Sequence, residues 1–247
     1  MNILRKGWSR IFKYNSIFGL FLILLFGVPR FYLVLEANIL GSYGFVSIIF
    51  IIMWFIPFVL LTKDGRRKIG FKKPDRIIKL IYAFLVGIIF CSIAYSITKL
   101  LYGGSIDNSF VYISGTYTIP GEVLANGRLI PFLSFAIIGM IFSPIGEEFF
   151  YRGVVHGSFV EQFGERKASY FDSLAFAVTH LAHFGVVYNA GHWEFLFFPA
   201  LLWLALMFGV SQLFFRCKVF CDSIWGAVVC HAGFNFAMTY FIIYHIL

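Results

Sequence analysis

Two adjacent glutamates, Glu147 and Glu148, lie in the stretch FSPIGEEFFYRG (residues 142–153) among aromatic and aliphatic side chains. Carboxylates in apolar surroundings are costly unless they are paired or used. On a helix, Glu148 and Arg152 are four residues apart and share a face, as do Glu147 and Tyr151. Adjacent glutamates point about 100° apart, so they do different work. The economical division pairs Glu148 with Arg152 and turns Glu147 into the interior; a purely structural ion-pair network is the alternative. Two histidines complete the set. His180 follows Phe176 by four residues, and His231 precedes Asn235 by four, each pair lying on one helical stripe. Singly, each histidine fits an interhelical hydrogen bond. At one depth with Glu147, the three fit a shared site.

The residue types then define a chemistry. A glutamate in an apolar pocket can exchange protons near neutrality, and with His180 beside it can activate water. His231 and Asn235 can donate hydrogen bonds to a developing oxyanion. This is the outline of an amide hydrolase without a covalent nucleophile. Ser143 and Ser173 are the nearest serines, and neither sits in a nucleophile elbow. Zinc is the competing chemistry: Glu147, His180 and His231 would supply one carboxylate and two imidazoles, with water in the fourth position and Glu148 as base. The helical HExxH spacing is missing, and pairing Glu148 with Arg152 leaves no second base. The expectation is a reaction that requires no cofactor.

The elements that carry these residues are membrane spans. The chain has 247 residues, 60% of them hydrophobic and only 13% charged, against roughly a quarter charged in soluble domains. Apolar runs of near-spanning length recur at 17–35, 43–62, 80–101, 129–157, 173–190, 195–215 and 223–245. The expected fold is therefore an all-α, polytopic transmembrane helix bundle of about seven spans, or eight if the 129–157 run splits. Residues 1–247 form one integral domain. The first run lacks a small-residue cleavage site and reads as a retained helix interrupted at Pro29-Arg30. The four cysteines, in or beside the spans, suit neither disulfides nor a metal cluster.

With the N-terminus inside, 17 of the 20 lysines and arginines fall on the cytoplasmic side, leaving Arg30, Lys99 and Arg128. The net charge of +8 thus reports topology and contact with anionic lipid, and excludes a nucleic-acid partner from the reading. DSLAFAVTH begins at Asp172 and DSIWGAVVCH at Asp222, and Asp-Ser before an apolar run predicts a helix N-cap. Counted from those caps, His180 and His231 lie about 10–12 Å into the membrane, and Glu147, counted from Gly157 as the end of its helix, lies about 15 Å deep. The histidines His156 and His192 are expected at the interfaces, and His183 is a further candidate for the cavity. Trp193, Phe195, Phe197 and Phe198 read as an interfacial anchor. The segment 102–128 is polar and external, capping the bundle or merely connecting two spans.

EEFFYR, FAVTH and HAGFN, in that order on separate helices, resemble the three motifs of the CPBP (Abi) intramembrane proteases, the group containing the CAAX prenyl endopeptidases. The resemblance covers 129–240, the expected catalytic core, while 1–128 carries no motif. It implies peptide hydrolysis within the membrane, open to the cytoplasm, on a peptide or membrane-protein substrate. By resemblance Glu147 and His180 activate water, His231 and Asn235 hold the oxyanion, and Glu148 and Arg152 support the site. The implied location is the bacterial cytoplasmic membrane. Two other classes compete: a non-catalytic scaffold or immunity protein that keeps the cluster for packing, and a transporter using it as a proton relay. A transporter would show repeat symmetry in both halves, whereas this cluster lies in the C-terminal half. Reporter fusions check the topology: a tag after Leu247 is expected outside and one in the 62–79 loop inside, and a cytoplasmic C-terminus would require an even number of spans.

Overall fold

The computed structural model describes residues 3–247. Helix α1 spans Ser16–Leu40 and is capped by Asn15, whose side chain accepts from the Phe18 N–H; α2 spans Gly44–Leu60. A short basic α3, Lys63–Lys68, leads to α4, Ile78–Tyr102. Two short helices follow, α5 (Ser109–Ser114) and α6 (Gly121–Ala125). Then come α7 (Leu129–Glu147), a π-helical turn over Glu148–Val155, and α8 (His156–Thr179). A 3₁₀ turn, His180–Ala182, and a two-stranded antiparallel hairpin, β1 (Val186–Asn189) with β2 (His192–Phe195), join α8 to α9 (Phe197–Phe220). The last helix, α10 (Ile224–His245), starts at the Ser223 cap. All four cysteine thiols are free and buried.

The all-α membrane bundle stands; the count of seven spans does not follow from length and composition. Among the described residues, five stretches are long and apolar enough to cross a membrane: α1, α4, Leu129–Ala182, α9 and α10. Helix α2, at 17 residues, falls short. The Leu129–Ala182 stretch is 54 residues, and a straight helix of that length would be about 80 Å long. It breaks at Gly164, whose φ of 73° and ψ of 163° leave helical space. That positive φ is open to glycine at no steric cost. The π-helical turn widens the run near residue 150 rather than splitting it, and the reversal comes at Gly164.

Other expectations need correction. Asp172 and Ser173 do not cap a helix: both are buried within α8, where Asp172 pairs with His156 and Arg152. The depth reckoning for His180 therefore began at the wrong residue. The 173–190 run is helical only as far as Ala182, and Val186–Asn189 pairs as a strand. His156 is buried in the protein and hydrogen-bonded between Asp172 and the exposed Glu165. The 102–128 segment caps rather than merely connects: buried Phe110 packs edge-on against Tyr95 of α4 and Phe241 of α10.

Outward faces remain apolar. Leu20, Leu24, Ile48, Phe55, Ile81 and Ile93 are each more than half exposed, a surface suited to lipid. Between helices α4 and α10, small residues permit backbone contact. A Cβ at Gly233 would overlap the Phe84 carbonyl of α4. Close approach of this kind holds membrane helices together by dispersion rather than by a hydrophobic drive. Gly233 lies between His231 and Asn235, so the same approach sets their height in the bundle. Gly233→Ala is expected to destabilise the bundle by about 1–3 kcal/mol, read as an earlier midpoint in detergent unfolding.

Candidate active site

Helix α7 ends on Glu147, and the π-helical turn begins with Glu148, so the two carboxylates leave the backbone where its pitch changes. Such π-helical turns are frequent at functional sites. Both side chains are fully buried. Glu147 lines a cavity of about 390 Å³ together with Arg30, His180, His183, His231 and Asn235. Phe50, Phe142, Trp203 and Met207 contribute apolar wall, and Ile113, Thr116 and Tyr117 close it from the 102–128 segment. A cavity of this size and character suits a ligand-binding site.

Glu148 turns away from the cavity. Its Oε1 accepts from Nδ1 of His231 at 2.8 Å, and Oε2 lies 3.2 Å from Nε of Arg152. The expected pairing of Glu148 with Arg152 is thus present, with His231 as a second partner. Arg152 also donates to Ser211 and stacks over Phe176, its Cζ 4.3 Å from the ring centroid. Beyond Arg152 the polar chain continues through Asp172, 3.8 Å away, to His156 and then to exposed Glu165.

The histidines converge on Glu147. His180 Nε2 is 3.9 Å from Oε1, and His231 Nε2 is 3.7 Å from Oε2. His180 directs Nδ1 at the Phe176 carbonyl, 2.7 Å away, within the FAVTH motif itself. A carbonyl only accepts, so Nδ1 carries the proton and Nε2 presents a lone pair. For His231, the Glu148 carboxylate fixes Nδ1–H in the same way and leaves Nε2 facing Glu147. Ring stacking of His231 on Phe214, with centroids 4.5 Å apart, holds the imidazole plane. Asn235 reaches the cavity, but its amide donates to the Gly139 carbonyl at 2.9 Å and to Ser143 Oγ at 3.1 Å.

Arg30, one of the three basic residues left over from the cytoplasmic count, lines the cavity, buried, with Nη2 2.5 Å from Glu147 Oε1. A charge in the middle of an apolar first run was the available signal. A zinc ion here would meet a cation already in place. Glu147 Oε1 and His180 Nε2, two of its three candidate donors, both face the Arg30 guanidinium, a cation that a divalent metal would have to displace. Among the described residues no group of three or more His, Cys, Asp or Glu side chains is arranged to hold a metal ion.

No curated protein and no solved structure matches the chain. One family model does: residues 129–237 match "Type II CAAX prenyl endopeptidase Rce1-like". The match contains Glu147, Glu148, Arg152, His180, His231 and Asn235, and ends short of α1, which supplies Arg30. The segment that builds most of this cavity is thus related to the Rce1-like type II CAAX prenyl endopeptidases, in keeping with the CPBP (Abi) likeness of its motifs.

Proposed function

We propose that the protein is an intramembrane endopeptidase that hydrolyses peptide bonds of membrane-associated peptides or proteins, with its site open to the cytoplasm. The observation that carries this reading is the convergence of Glu147, His180 and His231 on one apolar cavity within the segment that matches a protease family. His180 Nε2 lies 3.9 Å from Glu147 Oε1, so a water hydrogen-bonded to the carboxylate sits beside this imidazole. As that water adds to the scissile carbonyl, its proton passes to Glu147, with His180 positioned against the carboxylate. His231, with Glu148 as counter-ion on Nδ1, can carry a second proton on Nε2 and donate it to the oxyanion. Asn235 serves as the second donor when its bond to Ser143 is exchanged for the substrate. Arg152 holds Glu148 and so supports His231 through it. Apolar walls exclude bulk water and strengthen each of these interactions.

Glu147→Gln is expected to abolish cleavage in a folded protein, because amide and carboxylate are alike in size but only the carboxylate is a base. His180→Ala should behave likewise, while Asn235→Ala should retain some turnover, since one oxyanion donor is worth about 10²–10³ in rate. The measurement is cleavage of a reporter peptide by protein in lipid nanodiscs, with unfolding midpoints recorded alongside. Full activity of purified Glu147→Gln protein would sink the mechanism.

No step here is assigned to a metal. Activity is expected to survive dialysis against a chelator, with no stoichiometric zinc by elemental analysis. Loss of activity on zinc removal and its recovery on zinc return would make Glu147, His180 and His231 ligands and overturn the roles given to them.

A further inference from the structure

Arg30 reaches the cavity from α1, next to Pro29 and more than one hundred residues before Glu147 in the chain. Its Nη1 donates to Thr179 Oγ1 at 2.8 Å, and its guanidinium lies over the Phe50 ring, 5.5 Å from the centroid. Nη2 lies 3.3 Å from Nε2 of His180 and 3.3 Å from Nε2 of His183. A guanidinium has donors only, so both imidazoles must present a lone pair on Nε2. The remaining contacts agree. His180 Nδ1 faces the Phe176 carbonyl, and His183 Nδ1 faces the Tyr43 hydroxyl at 3.0 Å.

The planar Nη2 has two N–H bonds and three neighbours, the two imidazoles and Glu147. Glu147 Oε1, 2.5 Å from Nη2, makes the shortest of the three contacts and receives the positive charge. The other oxygen, Oε2, lies 3.7 Å from His231 Nε2 on the cavity side.

We propose that Arg30 is a positioning residue of the hydrolytic site, an inference that rests on the endopeptidase reading above. It holds His180 in the Nδ1–H tautomer and neutralises Glu147 through Oε1, leaving Oε2 to take a proton from water. It also remains beside the site as charge moves. When water adds, one O–H bond breaks and its proton goes to Glu147. The water oxygen forms the new C–O bond, and the carbonyl π pair becomes the oxyanion. The proton then passes to the leaving nitrogen as the C–N bond breaks. Negative charge moves from the carboxylate to the oxyanion and returns, and Arg30 is the fixed counter-ion throughout. Lysine keeps the charge but cannot engage Thr179, both imidazoles and Glu147 together, because it lacks the planar fork.

The full chain in lipid nanodiscs gives three readouts. In ¹⁵N-histidine NMR, the wild type should show Nδ1-protonated neutral rings for His180 and His183, which His180→Gln and His183→Gln assign, and Arg30→Ala should alter both signals. In unfolding, Arg30→Ala and Glu147→Gln should each lower the midpoint. The double variant should lose less than the two losses added, because each single change leaves a buried charge without its partner. In cleavage of a farnesylated CAAX-type peptide or an unprenylated hydrophobic peptide, whichever the wild type accepts, Arg30→Ala should lower kcat about 10²–10³-fold. KM should stay near the wild-type value, and free guanidinium ion should restore part of kcat, which a merely structural role would not allow. Unchanged histidine signals with additive unfolding losses, or wild-type kcat in Arg30→Ala, would overturn the proposal. Cleavage of neither peptide by the wild type would count against the endopeptidase reading alone, leaving the tautomer and coupling results to decide the placement of Arg30.

Discussion

Three buried carboxylates and two buried guanidinium groups share the middle of this bundle: Glu147, Glu148 and Asp172 with Arg30 and Arg152. None can be left alone in a medium of low dielectric constant, because an unpaired buried charge costs several kcal/mol. Each is therefore met by a partner from another part of the chain. Arg30 of α1 meets Glu147, Arg152 stands between Glu148 and Asp172, and His231 of α10 bonds Glu148. These pairings fix how α1, α7, α8 and α10 must sit. The network is not the source of stability, since apolar replacements of buried ion pairs often stabilise. It is tolerated because phenylalanines pack round it, among them Phe50, Phe176 and Phe214.

The π-helical turn divides the two glutamates between two environments. Glu147 faces the cavity, where its oxygens have cationic and imidazole neighbours. Glu148 faces packed protein and belongs to a polar chain that ends at the exposed Glu165. One carboxylate thus faces the cavity, and the other holds His231. The 102–128 segment matters to this arrangement because its Ile113, Thr116 and Tyr117 line the cavity. A cavity enclosed by that segment keeps its dipoles and charges effective at short range.

Much of this was legible in the sequence because polar residues are rare in it. In an apolar chain every buried Glu, His or Asn stands out, and a four-residue spacing identifies helix faces without knowledge of the fold. That was enough for Glu147, His180, His231 and Asn235 to be grouped, for Glu148 to be paired with Arg152, and for an all-α membrane bundle to be expected. The same apolar uniformity hid other things. Helices that meet lipid on one side and protein on the other are hydrophobic all round, so periodicity does not reveal the inward face.

The rest was decided in three dimensions. Arg30 is a single charge in the first helix, and nothing local says which of the distant carboxylates it meets. Charge counting could only assign it to a side. Asp172 and Ser173 have the residue types of a cap, but the backbone reversal at Gly164 makes them interior to α8, where Asp172 pairs with buried His156. The π-helical turn at Glu148 packs against α2 and α8, neighbours that its own residues do not announce. Sequence alone determined which groups could do chemistry, since that follows from side-chain type. Tertiary structure decided which of them face one another, since a buried charge takes its partner from wherever packing brings one within reach.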